Sequence, residues 1–256
     1  MLIDAHAHLN DERLTGLTDE ILALFGEYGV ESAVCASYDE RSSVVAAELA
    51  EKYENVFAAA AFHPHEAKSY TQEHADLFRR LAAKKSIVAI GETGLDYYYD
   101  LSPREVQRRV FAEHLALADE LKLPVVVHVR DAYEDTLGIL SGNAARLRHG
   151  VLIHNFSGDA EIMRRFNAFD CYYSFGGTLT FKNNKRGIEA FLNAPRERVL
   201  LETDCPYLTP APHRGKLNFP YYVRYVAEKG SELLGVPYTE FDALTNGNTK
   251  RFYGLK

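Results

Sequence analysis

The sequence predicts an α/β fold, a (β/α)8 TIM barrel built as one domain over residues 1–256. Three observations carry that expectation. Short apolar runs alternate with segments of helical spacing, which points to parallel strands joined by crossover helices. Eight such units in 256 residues match the usual length of this barrel, about 250. No linker rich in Gly, Ser or Pro divides the chain. The doubly wound open sheet is the competitor; it usually has fewer strands, and no GxGxxG turn follows the first strand.

In chain order, the expected strands are LIDAHAH (2–8), SAVCASY (32–38), VFAAAAF (56–62), IVAIGE (87–92), PVVVHV (124–129), VLIHNF (151–156), CYYSFG (171–176) and VLLETD (199–204). Helices are expected near 18–28, 40–53, 73–84, 102–122, 132–147, 159–168, 184–193, 218–235 and 239–252. The plainest is 102–122. There Ser102 and Glu105 read as a capping box, Pro103 as the first helical residue, and Val106, Val110, Leu117 and Leu121 as the apolar stripe.

Composition narrows the class. Hydrophobic residues make up 46% of the chain, enough for a sizeable core, and no run approaches the roughly 18 apolar residues of a membrane span. The first apolar stretch lacks the basic segment that precedes it in a secretory leader. Cys35, Cys171 and Cys205 are odd in number and form no CxxC, which fits free thiols in a reducing compartment; the cytoplasm is expected. A net charge of −7 argues against a surface that coats duplex DNA, though bound cations could still serve a nucleic-acid substrate.

In barrels of this kind, chemistry sits where strands end. His6 and His8 end strand 1 and share a face, because residues two apart on a strand point the same way. His63 ends strand 3, Glu92 strand 4, His128 strand 5, His154 strand 6 and Asp204 strand 8. Each alone is an ordinary polar residue; six of eight strands ending in metal-ligand types is a pattern. Imidazoles with carboxylates suit Zn²⁺ or Mn²⁺ better than Mg²⁺. HxH with Asp204 on one side and His128 with His154 on the other leave Glu92 as the natural bridge between two ions. Ions about 3.5–4 Å apart can clamp the attacking and leaving oxygens of a displacement and lower the pKa of bound water. That is hydrolytic chemistry.

The chain resembles the TatD-type metal-dependent hydrolases, the deoxyribonuclease family within the wider amidohydrolase group. The resemblance runs through nearly the whole chain: IDAHAHL, FHPHEA (62–67), IGETGLDYY (90–98), HVRDA (128–132), IHNFSG (153–158), TLTFKN (178–183), LETDCPYLTPAPHRGKLNFP (201–220) and NTKRFYG (248–254). ETDCPYL followed by PHRGKLN is highly specific, whereas HxH alone is not. The resemblance implies a TIM-type barrel, one or two divalent ions, and phosphodiester hydrolysis on DNA of 3′-to-5′ exonuclease type, an activity usually associated with Mg²⁺. Carried over by motif, His6, His8, Glu92 and Asp204 would hold one ion, and Glu92, His128 and His154 the second. Asn155 and Phe62 depart from the family's common residues, Cys or another small residue and Gly respectively, and bear on substrate preference rather than on the ligands.

Roles follow. Asp204 and Glu92 are the expected catalytic carboxylates, Asp204 also as acceptor of a proton from the attacking water. Glu202, two residues earlier, is expected to orient a ligand or a buried Arg. His63 is expected to face inward as a phosphate contact and His65 to point outward; His74, His114 and His149 read as surface or packing residues. Arg130 and Arg214 are the best phosphate partners, ahead of Lys182 and Lys216. SFGGT (174–178) could offer N–H groups to an anion. Tyr97, nearest Glu92 in DYYYD, is the expected stacking surface for an unpaired base. Cys205 should point away from Asp204. The partner expected is DNA, at single-stranded ends; no membrane and no protein partner are inferred. The alternative is a hydrolase of a small amide, lactone or phosphoester on the same dinuclear site, because fold alone does not choose a substrate. A non-catalytic barrel is disfavoured by the intact ligand set.

Overall fold

The computed structural model describes residues 1–256. Eight parallel strands follow one another in chain order, β1 to β8, with helices between them, the (β/α)8 arrangement. The strands are β1 (Leu2–Ala7), β2 (Val30–Ala36), β3 (Val56–Ala60), β4 (Ile87–Asp96), β5 (Val125–Arg130), β6 (Val151–Ile153), β7 (Tyr172–Phe175) and β8 (Val199–Leu201). The helices are α1 (Thr18–Ala23), α2 (Phe25–Tyr28), α3 (Glu40–Lys52), α4 (Gln72–Ala82), α5 (Arg104–Leu121), α6 (Tyr133–Gly142), α7 (Ala160–Phe166), α8 (Lys185–Asn193), α9 (Val223–Leu234) and α10 (Tyr238–Tyr253). No helix is long and apolar enough to cross a membrane. The three cysteines are buried free thiols.

The strands are short runs of Ala, Val, Ile and Leu because both of their faces are covered; all six residues of β1 and all ten of β4 are buried. The chain groups into two compact units, residues 1–35, 155–163 and 173–256, and residues 36–154 with 164–172. In the first unit β1 pairs with β2 and β7 with β8. Helices α9 and α10 close together where Gly230 leaves room: a Cβ there would lie 2.5 Å from the Phe241 ring. The Asn248 side chain donates to the carbonyls of Arg196 (2.8 Å) and Val199 (2.9 Å), so α10 secures the entry to β8. The Tyr253 hydroxyl donates to the Ala5 carbonyl of β1 at 2.7 Å.

In the second unit β3, β4, β5 and β6 pair in sequence. Helix α3 starts from a reciprocal cap: Asp39 accepts from the Ser42 N–H at 2.7 Å, and the Ser42 hydroxyl oxygen accepts from the Asp39 N–H at 2.9 Å. The pairing of β4 with β5 depends on glycine. A Cβ on Gly94 would lie 2.1 Å from the His128 carbonyl oxygen, and one on Gly91 2.5 Å from Val126 Cβ. Gly94 also has φ +136°, which side-chain-bearing residues rarely adopt.

Several boundaries differ from expectation. Strand β4 continues four residues past Glu92 to Asp96, because Gly94 lets it lie against His128 in register. Strand β8 stops at Leu201, so 202–204 is not strand. The expected capping box of α5 does not form. The Ser102 hydroxyl donates instead to the His65 carbonyl (2.7 Å) and accepts from the Lys68 N–H (3.1 Å), and α5 starts at Arg104 after Pro103. The single helix expected over 18–28 is two short ones that end at Gly29, φ +71°. Helix α6 gives way at Asn143, whose side chain donates to the Ile139 carbonyl. Helix α9 begins at Val223, after a 3-10 turn opened by Pro220.

Candidate metal centre

Two groups of ligand-type side chains stand at the carboxyl ends of the strands, one in each unit. In the first, β1 carries His6 and leads directly into His8. Their Nε2 atoms are 3.3 Å apart, with the rings edge to face. Asp204 Oδ1 lies 3.3 Å from His8 Nε2 and 3.8 Å from His6 Nε2. The backbone sets this geometry: the Asp204 N–H donates to the His6 carbonyl and the His8 N–H to the Cys205 carbonyl, at 3.0 and 2.8 Å. Asp204 has φ +55°, a left-handed conformation that Asp tolerates better than most residues. A turn therefore aims its carboxylate, not strand alternation. Cys205 is fully buried, and its orientation likewise does not come from a strand.

Behind this group lies Asp4, completely buried. Its carboxylate accepts from the Thr203 N–H (2.9 Å), the Thr203 hydroxyl (2.5 Å) and the His6 N–H (3.3 Å). Burial pushes the Asp4 carboxyl well up, against the pull of the Thr203 hydrogen bonds and with a further push from the Glu202 charge. Glu202 is itself fully buried.

In the second unit, three imidazoles converge on one oxygen. Glu92 Oε1 lies 2.8 Å from His128 Nδ1, 3.0 Å from His154 Nε2 and 3.5 Å from His63 Nε2. Ligand atoms of His63, Glu92 and His128 all lie within 4.8 Å of one another. Strand β4 supplies Glu92 and β5 supplies His128, while His154 directly follows β6. His63 stands just beyond β3, where the Tyr38 carbonyl accepts its N–H at 3.0 Å. Burial pushes the His63 imidazole down to about 4, even against Glu92, so it is neutral at pH 7; its Nδ1 accepts the His65 N–H at 3.2 Å, which turns Nε2 toward Glu92.

Asp96 completes this group. Its Oδ2 lies 3.0 Å from both His128 Nε2 and His65 Nε2. Burial alone would raise the Asp96 carboxyl; the hydrogen bonds from His128 and His65 outweigh it and hold the group well below the usual carboxylate range. Burial opposes charge on His128 too, but Asp96 and Glu92 together raise it. A carboxylate on one nitrogen of an imidazole, with the other turned toward a shared anionic oxygen, is the arrangement that orients a metal-ligating histidine. The donor set fits a divalent cation of borderline softness. His65, expected to point outward, turns toward Asp96 instead, because the 3-10 turn begun by Pro64 replaces strand alternation.

The remaining expected residues are spread around the loops. The Arg130 guanidinium lies over the rings of Tyr98 (4.1 Å) and Tyr99 (5.1 Å). Tyr97 is engaged elsewhere: Arg104 covers its ring at 4.3 Å, and its hydroxyl donates to Asp135 at 2.5 Å. Arg214 stacks on Phe181 at 4.0 Å in the first unit. The glycine pair in SFGGT answers a packing need, since a Cβ on Gly177 would lie 2.0 Å from the Leu208 carbonyl oxygen. His114 is fully buried. Its Nδ1 donates to the Val110 carbonyl (2.8 Å), and its Nε2 accepts from the Phe62 N–H (3.2 Å), a packing role. Asp96 and Asp4 did not stand out in the sequence; the signal for Asp96 was its spacing, four residues after Glu92 and so on the same strand face.

Residues 3–254 match the family model described as TatD related DNase. The chain is 42% identical, over the full length of both, to the uncharacterized metal-dependent hydrolase YabD of Bacillus subtilis. It is 38% identical to the uncharacterized metal-dependent hydrolase YcfH of Escherichia coli K12, covering 99% of this chain and 96% of that one. The crystal structure of YJJV, a TatD homolog from Escherichia coli K12, superposes with a TM-score of 0.93 at 25% identity, covering 100% of this chain and 98% of that one. With its His and Glu groups placed to hold metal, and with these relatives along its whole length, the chain belongs to the TatD family of metal-dependent hydrolases.

Proposed function

We propose that this chain is a phosphodiesterase acting on DNA, a deoxyribonuclease that shortens single-stranded ends from 3′ to 5′, and that it works as one domain over residues 1–256 in the cytoplasm. The observation that carries the reading is the convergence of three imidazole nitrogens on Glu92 Oε1, in a chain matched by a DNase family model. We assign His6, His8, Glu92 and Asp204 to one ion and Glu92, His128 and His154 to a second. These residues would hold two divalent ions, Zn²⁺ or Mn²⁺ by ligand type with Mg²⁺ an alternative for turnover, which would supply Lewis acidity and lower the pKa of water toward neutrality.

The protein's own groups do the rest. The Asp204 carboxylate accepts the proton of the attacking water. Glu92 is the carboxylate common to both ligand sets. His63, neutral at pH 7, and Arg130 and Arg214 contact the phosphate, the arginines through the paired N–H donors that match its oxygens. The Tyr97 segment meets the base.

The test is a 3′-labelled single-stranded oligonucleotide incubated with the protein and Mn²⁺ or Mg²⁺. Release of labelled mononucleotide is expected, stopped by a chelator and slowed about 10³-fold or more by Glu92→Ala. If the oligonucleotide stays intact while chromogenic esters or lactones are hydrolysed with the same metals, the enzyme acts on small molecules and the nuclease reading fails.

A further inference from the structure

We propose that Tyr98, Tyr99 and Arg130 form a platform that stacks an unpaired nucleobase and holds its phosphate, beside the Glu92–His128 group. The proposal rests on the phosphodiesterase reading and adds where the terminal nucleotide sits.

Three tyrosines follow Asp96 in DYYYD, and the backbone separates them. Asp96 Oδ1 accepts the N–H groups of Tyr98 (3.0 Å) and Tyr99 (2.8 Å), an Asx-type turn that ends β4. Tyr97 falls on the packed side, under Arg104 and hydrogen-bonded to Asp135. Tyr98 and Tyr99 fall on the open side, 58% and 53% exposed, with their rings edge to face at 4.9 Å. Two adjacent phenol rings left in water add little to the core; they stand at 90°, so a base that stacks on the face of one meets the edge of the other.

Arg130 supplies the charge. It ends β5, two residues after His128, and pairs in register with Asp96. Nearby Arg104 and Arg108 are tied to Asp100 and Asp135, at 3.1 and 3.0 Å. The Arg130 guanidinium rests on ring faces, which fixes its plane and leaves its N–H edge to meet a phosphate.

The platform and the ligand group share one carboxylate. Through Oδ1, Asp96 shapes the Tyr98–Tyr99 turn; through Oδ2 it holds His65 and His128. The Tyr99 ring also meets His65 edge to face at 5.4 Å. A base stacked on Tyr98 or Tyr99 is thereby placed in a constant relation to His128. Bases inside a duplex have both faces covered and a terminal base is tied to its pairing partner, so such a platform favours single-stranded or frayed ends, and it does so without reading sequence, since every base has a π face.

The test compares two single-stranded oligonucleotides, one with ordinary 3′-terminal nucleotides and one with abasic residues there, cleaved by the metal-loaded full chain. For the Tyr98→Ala, Tyr99→Ala double variant, KM for the ordinary oligonucleotide should rise about tenfold, with kcat within about twofold. The Tyr98→Phe, Tyr99→Phe pair should restore KM, because stacking needs the ring and not the hydroxyl. The abasic oligonucleotide should respond to neither pair. An unchanged KM, an equal rise on both substrates, or a Phe pair that behaves like the Ala pair overturns the platform while leaving the phosphodiesterase reading intact. A wild-type protein that cleaves neither oligonucleotide defeats that reading, and the platform with it.

Discussion

Asp4 and Asp96 lie behind the two ligand groups, both almost wholly buried, yet their carboxyl groups are pushed in opposite directions. Asp4 meets a hydroxyl and two backbone N–H groups, and Glu202 adds a like charge. Neutral donors do not repay the loss of water around a buried anion, so burial wins and the proton is retained more readily. Asp96 meets two imidazoles, and together with the Tyr99 N–H they outweigh a burial penalty that is smaller than that of Asp4. Depth and partners together set the charge: Asp4 is the deeper group and has only neutral donors, whereas Asp96 has imidazoles. The comparison also separates the duties of the two units. The first braces its ligands with backbone and a hydroxyl, whereas the second braces them with a charge-assisted network in which each histidine depends on a carboxylate.

The contrast can be broken at its backbone. Gly94→Ala would drive a Cβ against the His128 carbonyl at a backbone angle alanine resists, separating β4 from β5. A loss of about 3 kcal/mol or more in urea unfolding is expected. A loss below about 1 kcal/mol would mean that β4 can reach Asp96 without the close approach.

The second unit also carries a pH dependence unrelated to its ligands. Burial holds His114 neutral, its folded pKa pushed down to about 4. The unfolded chain takes up the proton first, so stability is present above about 6.5 and is lost as the pH falls from there to about 4, by about 3 kcal/mol in all. His114→Gln can keep both hydrogen bonds without titrating. The difference between wild type and variant, measured by denaturant unfolding from pH 7 to 4, should shrink or reverse toward the acid end; a constant difference would show that His114 is not buried neutral.

Asp96→Asn and Asp4→Asn test the contrast itself. An amide at 96 cannot hold two imidazoles as an anion does, so metal affinity by competition titration, or activity, should fall about 10- to 100-fold. An amide at 4 can still accept from the Thr203 N–H and can donate to the Thr203 hydroxyl oxygen, so its cost should stay near 1 kcal/mol. Equal losses in the two variants would erase the distinction between the units.

The fold class and the histidine pattern were legible because they rest on local periodicity. His6 lies on β1 and His8 just past its end, and the structure brings the pair to Asp204, 196 residues after His8. His128 and His154 lie at or just past β5 and β6, and both reach Glu92. Asp96 was obscured because β4 was expected to stop at Glu92. Its extension depends on how closely β5 approaches two glycines, a fact about a neighbour and not about the run itself. His65 was expected to face away because strand alternation was carried past Pro64, where a 3-10 turn takes over. Ser102 matched a helix-capping pattern, yet its hydroxyl found partners in a segment more than thirty residues away.

By itself, then, the order of residues determined what repeats over short distances: eight apolar strands, the helices between them, and the ligand-type side chains where strands finish. Tertiary structure alone decided where β4 and β8 end, which carboxylate braces which histidine, the opposite protonation tendencies of Asp4 and Asp96, and which of three tyrosines faces water. The physical reason is range. Periodicity and backbone propensity act over a few residues and can be read along the chain, whereas close approach, burial and charge pairing act between segments that only folding brings together.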